Sequence, residues 1–177
     1  MYPLDHETNT ASMMQITIYN ITFQKQNHQQ ALDNFINNLK EEKEFFNLNH
    51  ERFKDLKLII AAFYGKNIVG IAGLESKLGI FRSLIMVSTQ YQGINLGKGL
   101  YERLMEEANK SHNLILAIIE ENNFRSSRLH YALGFVLVGK RAKLLYFFKP
   151  LNHRGKRIIR IIQIFFPIIR IIDKIRK

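Results

Sequence analysis

The chain has no cysteine among its 177 residues, and its six histidines are scattered along the sequence. The missing cysteines exclude disulfide bonds, thiolate metal sites and a cysteine nucleophile. The histidines show no spacing typical of metal ligands, so we expect no metal. The first ten residues have neither an apolar core nor a basic lead, which is not the pattern of a secretory signal. We therefore expect a cytoplasmic protein.

A hydrophobic fraction of 46% is enough for a buried core, and the length is that of one domain with a short appendage. We divide the chain into a polar N-terminus at 1–14, expected to be mobile, a domain at 15–150 and a C-terminal segment at 151–177. The formal net charge is +11, and +7 of it belongs to residues 151–177, where eight Lys or Arg accompany one acid. The basic character is therefore mainly a property of the tail.

Apolar residues recur along the domain with either strand or helix spacing. The predicted strands are 16–23, 58–64, 68–75, 80–87, 114–119, 135–138 and 142–148. The predicted helices are 28–39, 41–56, 96–108 and 125–133. This order predicts an α/β domain in which helices cover a central mixed sheet.

A glycine-rich stretch, residues 92–99, lies between the apolar run 83–87 and the amphipathic helical run 96–108. At the start of a helix the first N–H groups have no intrahelical partner, and the aligned peptide dipoles add about +0.5 charge. A strand, a turn and a helix in this order are typical of a site for phosphate or diphosphate. The sequence therefore predicts an anion-binding loop here.

Two segments of the chain resemble the GNAT family of acyl-CoA-dependent N-acetyltransferases. The first has Val87, then Gln92 five residues later, then a loop ending at Gly97, and so follows the family pattern Gln/Arg-x-x-Gly-x-Gly/Ala. It departs at Asn95, where the family prefers glycine, although asparagine tolerates left-handed backbone better than most residues. The second segment, 123–135, follows the pattern Asn…Leu-His/Tyr-x-x-Leu-Gly-Phe. The resemblance covers about residues 15–150.

This resemblance implies acetyl-CoA as co-substrate and a central mixed, mostly antiparallel sheet of six to seven strands flanked by about four helices. The backbone of Ile85, Met86 and Val87 would pair with the pantetheine arm as an added strand does. The loop amides would hold the diphosphate, and Asn123 would hydrogen-bond the cofactor or the substrate amide. The loop residues are Gln92, Gly93, Ile94, Asn95, Leu96, Gly97 and Lys98, of which Lys98 adds a point charge.

The resemblance also implies that a deprotonated amine attacks the thioester directly, in a ternary complex, while a backbone N–H near Val87 stabilises the oxyanion. The acid for the departing thiolate would be Tyr131 or His130, since the family often has tyrosine at the position of His130. Tyr131 is favoured because a phenol protonates a thiolate without a prior change of charge. The candidate bases are Glu75, at the end of the third strand, and Glu120 or Glu121, just after the fifth.

The expected reaction is transfer of an acetyl group to a primary amine carried by a small molecule or a peptide. The alternative is a non-catalytic acyl-CoA-binding or membrane-docked regulatory module. Asn95 in place of glycine and the competing acid and base candidates keep that alternative open. Release of thiol from acetyl-CoA in the presence of amines separates the two.

Residues 157–177 are the second unusual feature, because apolar residues recur there at helical spacing with basic residues opposite. A basic amphipathic helix is typical of an anionic membrane surface, here the inner surface of the membrane, or of packing on the domain or a partner chain through residues 155–177. Nucleic acid is disfavoured because the apolar side would stay in water. Arg160 and Arg170 argue against a spanning helix, and Pro167 predicts a bend. The apolar row is Ile158, Ile161, Ile162, Phe165, Ile168, Ile169, Ile172 and Ile175.

Overall fold

The computed structural model describes residues 15–21, 26–41, 55–77 and 80–175. The strands are β1 (Ile16–Ile21), β2 (Leu56–Tyr64), β3 (Asn67–Lys77), β4 (Ile80–Val87), β5 (Leu114–Glu120), β6 (Val136–Arg141) and β7 (Leu144–Pro150). The helices of the described residues are α1 (Gln26–Glu41), α2 (Leu96–Asn109), α3 (Phe124–Ala132) and α4 (His153–Ile175), and a 3-10 turn spans Thr89–Tyr91.

The seven strands form one sheet in the order β1-β2-β3-β4-β5-β7-β6. All neighbouring strands are antiparallel except β4 and β5, which run parallel. The predicted mixed α/β fold, with a mostly antiparallel sheet and helices on it, is confirmed.

Differences from the predicted elements have local causes. Residues 1–14 and 42–54 lie outside the described residues, and with them the predicted N-terminus and most of the second predicted helix. That helix was expected to reach Leu56, which is wrong, because Leu56 begins β2 and packs there against Gly73 with 6% of its surface exposed. The last strand begins two residues later than predicted because Ala142 adopts a left-handed φ of 51° in the β6–β7 turn.

Helices cover both faces of the sheet, since side chains of each strand alternate between them. On one face α2 buries the row that its spacing predicted, namely Leu96, Leu100, Leu104 and Ala108. On the other face α1 buries its own row, namely Leu32, Phe35, Ile36 and Leu39. The sheet is therefore the middle layer of three, and β4 lies at its centre.

The last helix, α4, packs on β7 and on the edge strand β6. Ile159 is buried in this contact, and the Phe166 ring lies 5.5 Å from that of Tyr146. Glycines fix its rotation, because Gly155 touches the Asn113 carbonyl oxygen and Gly139 touches the Phe166 ring, with no room for a Cβ at either. Of the predicted apolar row, Ile162 packs partly buried beside Ile159, whereas three others do not. Ile158, Ile161 and Phe165 are exposed.

The strands β4 and β5 separate towards their C-terminal ends. Arg82 and Leu116 are the register pair that their described residues share. A regular parallel pair would continue with evenly spaced hydrogen bonds, but here β4 runs on to Val87 and β5 to Glu120 without further pairing. This gap leaves one edge of β4 open at its C-terminal end.

Candidate active site

A cleft of about 730 Å³ opens where β4 and β5 separate. Its walls are the end of β4, the loop leading into α2, the first turns of α3 and the last residue of β5. The lining residues are Ile85, Met86, Val87, Tyr91, Gln92, Gly93, Asn95, Leu96, Gly97, Lys98, Glu120, Asn122, Asn123, Phe124, Arg125, Ser126 and Leu129. The cleft thus gathers every residue predicted to bind the cofactor except Ile94, which is exposed.

The loop before α2 passes twice through left-handed backbone. Gly93 has a φ of 87°, and Asn95, the N-cap residue of α2, has a φ of 63°. Glycine adopts this conformation freely, and asparagine is one of the few other residues that visit it routinely. Asn95 therefore keeps the turn at the position where the family pattern prefers glycine.

These turns leave a run of unpaired backbone donors beside the cleft. Within the described part of the chain, the N–H groups of residues 93–98 have no hydrogen-bond acceptor in the protein. Gly99 is the first to donate, to the Asn95 carbonyl at 3.1 Å. Unpaired N–H groups clustered at a helix N-terminus form an anion site, because the helix dipole adds its positive end. The predicted anion-binding loop has this geometry.

Backbone alternation places the polar groups of Val87 at the open edge of β4. The Ser88 N–H donates to the Val69 carbonyl on β3 at 3.0 Å, and consecutive strand residues direct their backbone groups to opposite edges. The Gln92 Nε2 donates to the Val87 carbonyl at 2.9 Å, and the Gln92 Oε1 accepts from Arg125 Nη1. Gln92 therefore links the strand edge, the loop and α3 around the cleft.

The N-terminus of α3 forms the wall opposite the loop. Asn123 caps this helix, because its Oδ1 accepts from the Ser126 N–H at 2.9 Å. The amide NH₂ of Asn123 remains the part of the side chain that can donate to a ligand. Sequence patterns gave no role to Tyr91 or Arg125, which also line the cleft. No local signal identifies Arg125, because its partner Gln92 is 33 residues away.

Of the three predicted bases, Glu120 alone lines the cleft. Glu75 lies 3.4 Å from Arg82 Nε and is its register partner. Its partner Arg82 is five residues before Val87 on β4, so Glu75 lies roughly 17 Å from Val87 at the usual rise per residue. Glu121 is exposed and pairs with Lys140. Among the described residues, no group of three His, Asp or Glu side chains is arranged to hold a metal ion.

His130 is part of a buried hydrogen-bonded chain and does not line the cleft. Its Nε2 lies 2.7 Å from the Tyr101 hydroxyl, which is 3.0 Å from Ser83 Oγ. Its Nδ1 lies 2.7 Å from the Ser126 carbonyl, which can only accept, so the neutral ring carries its proton on Nδ1. Burial lowers the pKa of His130 and raises the pKa of Tyr101, so both groups remain neutral near pH 7.

Tyr131, the next residue along α3, is 54% exposed and packs edge-on against Phe147 with ring centroids 5.0 Å apart. It does not line the cleft either. The general-acid role of Tyr131 or His130 stays a prediction of the family resemblance. What the structure adds is a link from His130 to the cleft wall through Ser126.

Tyr101→Phe is expected to lower the free energy of unfolding by about 1–3 kcal/mol, because it leaves the buried His130 Nε2 without a donor, although Ser83 Oγ keeps its bond to the Leu116 carbonyl. Tyr131→Phe removes the same hydroxyl from an exposed ring and should change stability by less than about 0.5 kcal/mol. Urea unfolding followed by circular dichroism measures both. Equal effects of the two variants would show that the buried chain adds nothing to stability.

Comparison with known proteins bears on the family and the fold. A model of the acetyltransferase (GNAT) family matches residues 18–135, more than half of the chain. The chain belongs to the GNAT acetyltransferase family. The predicted family is thereby confirmed, and membership supports a general acetyltransferase role. No curated protein sequence matches the chain.

Solved structures share the fold at low sequence identity. A GNAT-family acetyltransferase from Streptococcus pneumoniae is 19% identical with a TM-score of 0.60, over 78% of this chain and 100% of that one. The ribosomal-protein-S18-alanine N-acetyltransferase from Escherichia coli is 17% identical with a TM-score of 0.63, over 78% and 95%. A Salmonella typhimurium protein solved with its cofactor acetyl-CoA is 20% identical with a TM-score of 0.56, over 78% and 95%. At these identities the likeness shows the fold.

Proposed function

We propose that this GNAT protein transfers the acetyl group of acetyl-CoA to a primary amine by direct attack in a ternary complex. The observation that carries the proposal is the set of unpaired N–H groups at 93–98, which lie at the N-terminus of α2 and at the mouth of the β4–β5 gap. A diphosphate needs several donors in one place, and this loop offers them without rearrangement. The residues present therefore fit coenzyme A.

The open edge of β4 fits the pantetheine arm. An extended chain with amide groups adds to a free strand edge as another strand would. Ile85 and Val87 direct backbone groups to this edge, and Gln92 already satisfies the Val87 carbonyl. The Val87 N–H is then the donor available for charge that develops on the reacting carbonyl oxygen. Asn123 offers its NH₂ group from the opposite wall.

Acetyl-CoA supplies an activated acetyl group as a thioester, and the chain must position an amine beside it in neutral form. Glu120 is the carboxylate of the cleft, at the end of β5 and across the gap from Val87. We assign to Glu120 the role of accepting the ammonium proton. Holding both reactants in the cleft supplies the larger part of the rate, since fixed geometry is worth roughly 7–11 kcal/mol.

The test is release of free thiol from acetyl-CoA in the presence of a panel of primary amines, both small molecules and peptides with free N-termini. The proposal expects at least one amine to raise thiol release above the rate without amine, together with mass-spectrometric detection of the acetylated product. Binding of coenzyme A by calorimetry without any turnover across the panel would favour the non-catalytic acyl-CoA-binding module. If coenzyme A does not bind and no amine is acetylated, both the transferase and the acyl-CoA-binding module are excluded.

A further inference from the structure

We propose that the outer side of α4 docks the protein on the surface of an anionic lipid bilayer, a role separate from the transfer reaction. Four large apolar side chains on this side are exposed to solvent: Ile158 at 37%, Ile161 at 55%, Ile164 at 66% and Phe165 at 53%. They recur every three or four residues, so they share one side of the helix. Several large apolar side chains exposed together on one side of a helix are typical of an interaction site.

This apolar row does not pack on the sheet, because another side of α4 already does. The side of α4 that faces β6 and β7 is already filled by Ile159 and Phe166. Gly155 and Gly139 make that contact so close that no Cβ fits at either position, which fixes the rotation of the helix. The exposed row therefore points outward in the folded domain.

Cations border the row on the same helix. Arg154, Lys156, Arg157 and Arg160 are all exposed, and residues 151–166 contain no acid. Within the described residues none of the four pairs with a carboxylate. An anionic leaflet attracts such cations when they lie close to its surface. The charge of this surface is thus complementary to acidic lipid headgroups.

The combination of charges and apolar side chains selects the bilayer from the possible occupants. A second copy of the chain would bring the same cations against these and has no acid in 151–166 to offset them. Nucleic acid would satisfy the cations but leave the isoleucines in water. A bilayer interface accepts both, since such a helix lies in the headgroup plane with its apolar side buried about 5–10 Å. Within the described residues, none of the helices is both long and apolar enough to cross a bilayer.

The experiment is co-sedimentation of the full chain with vesicles of phosphatidylcholine alone or with phosphatidylglycerol added. We expect binding to the mixed vesicles, weak or no binding to phosphatidylcholine alone, and release on raising the salt concentration because surface charges are screened. Equal binding to both vesicle types, or binding to neither, would overturn the proposal.

Two double variants separate the contributions of the apolar row and of the charges. Ile161→Ser with Phe165→Ser, and Arg157→Glu with Arg160→Glu, change only exposed side chains. Each double variant should lower partitioning to mixed vesicles about tenfold or more. The control for the serine variant is Ile80→Ser, which changes an apolar side chain that is 48% exposed on β4. The control for the glutamate variant is Lys57→Glu with Lys66→Glu, which changes an exposed cation on β2 and another just after it. Controls that lose as much as the α4 variants would contradict the assignment.

A fluorescent reporter and a mass measurement complete the test. The chain has no tryptophan, so Phe165→Trp places a single tryptophan on the exposed row. Its emission should shift to the blue on mixed vesicles, whereas that of Ile80→Trp should not. Light scattering of the wild-type chain in solution should give a monomer. A dimer that the serine variants dissociate would show instead that a second copy covers the row.

Discussion

Gly97→Glu is expected to weaken coenzyme A binding about 100-fold or more, because a like charge roughly 5 Å from a phosphate costs about 3 kcal/mol at an effective dielectric constant of 20. A Cβ on Gly97 would lie 3.5 Å from Ile85 and 3.6 Å from Leu129, both of which line the cleft. The carboxylate would also compete for the free N–H groups of the loop. The fold should not suffer, since an acid in the first turn of a helix adds about 0.3–1 kcal/mol to stability.

Calorimetric titration with coenzyme A and thermal unfolding measure the two effects separately. Gly97→Ala is the control, because its methyl group would meet its neighbours at ordinary contact distances and the family pattern permits alanine here. Gly97→Ala should bind coenzyme A within about threefold of the wild-type affinity, because it introduces neither a charge nor a steric clash. Wild-type affinity in Gly97→Glu would mean that the loop does not hold the diphosphate.

Glu120→Gln is expected to lower kcat about 10²- to 10⁴-fold, the usual contribution of a general base. The amide keeps the size of the side chain but cannot take the ammonium proton. Glu120 lies at the opposite side of the gap from the diphosphate loop, so the KM for acetyl-CoA should change little. The lost rate should return as the pH approaches the pKa of the amine, because the amine then deprotonates in solution.

Glu121→Gln is the matched comparison, since Glu121 is the adjacent residue and pairs with Lys140 outside the cleft lining. Steady-state kinetics with one productive amine, measured from neutral to alkaline pH, distinguishes the two variants. If both variants keep wild-type kcat, or lose it equally with no recovery at high pH, then Glu120 is not the base.

The parts of the fold that the sequence predicts are those decided by local patterns. The row Leu96, Leu100, Leu104 and Ala108 has helical spacing and is buried as expected. The bounds of β4 agree because the strand is long, apolar and followed by a turn. The unpaired donors of the loop before α2 were predictable because donors at a helix N-terminus depend on the chain order of strand, turn and helix rather than on distant contacts.

The parts that the sequence does not predict are those decided by tertiary contacts. Apolar residues recur at helical spacing on more than one side of α4. Spacing alone therefore does not predict which side packs against the sheet. Gly139 and Gly155 decide it, and each acts through a residue far from it in the chain. The burial of His130 is also decided by a tertiary contact, because its hydrogen-bond partner Tyr101 is 29 residues earlier. Arg125 joins the site through Gln92 for the same reason.

The proposal that the N–H groups of residues 93–98 bind the diphosphate is tested most directly by an NMR titration of the ¹⁵N-labelled chain with coenzyme A. The backbone amides of residues 93–98 should move together and saturate, with the Asn123 side-chain amide following and the turn at Gly65 unchanged. Amides of 93–98 that stay in place at millimolar coenzyme A would contradict the account.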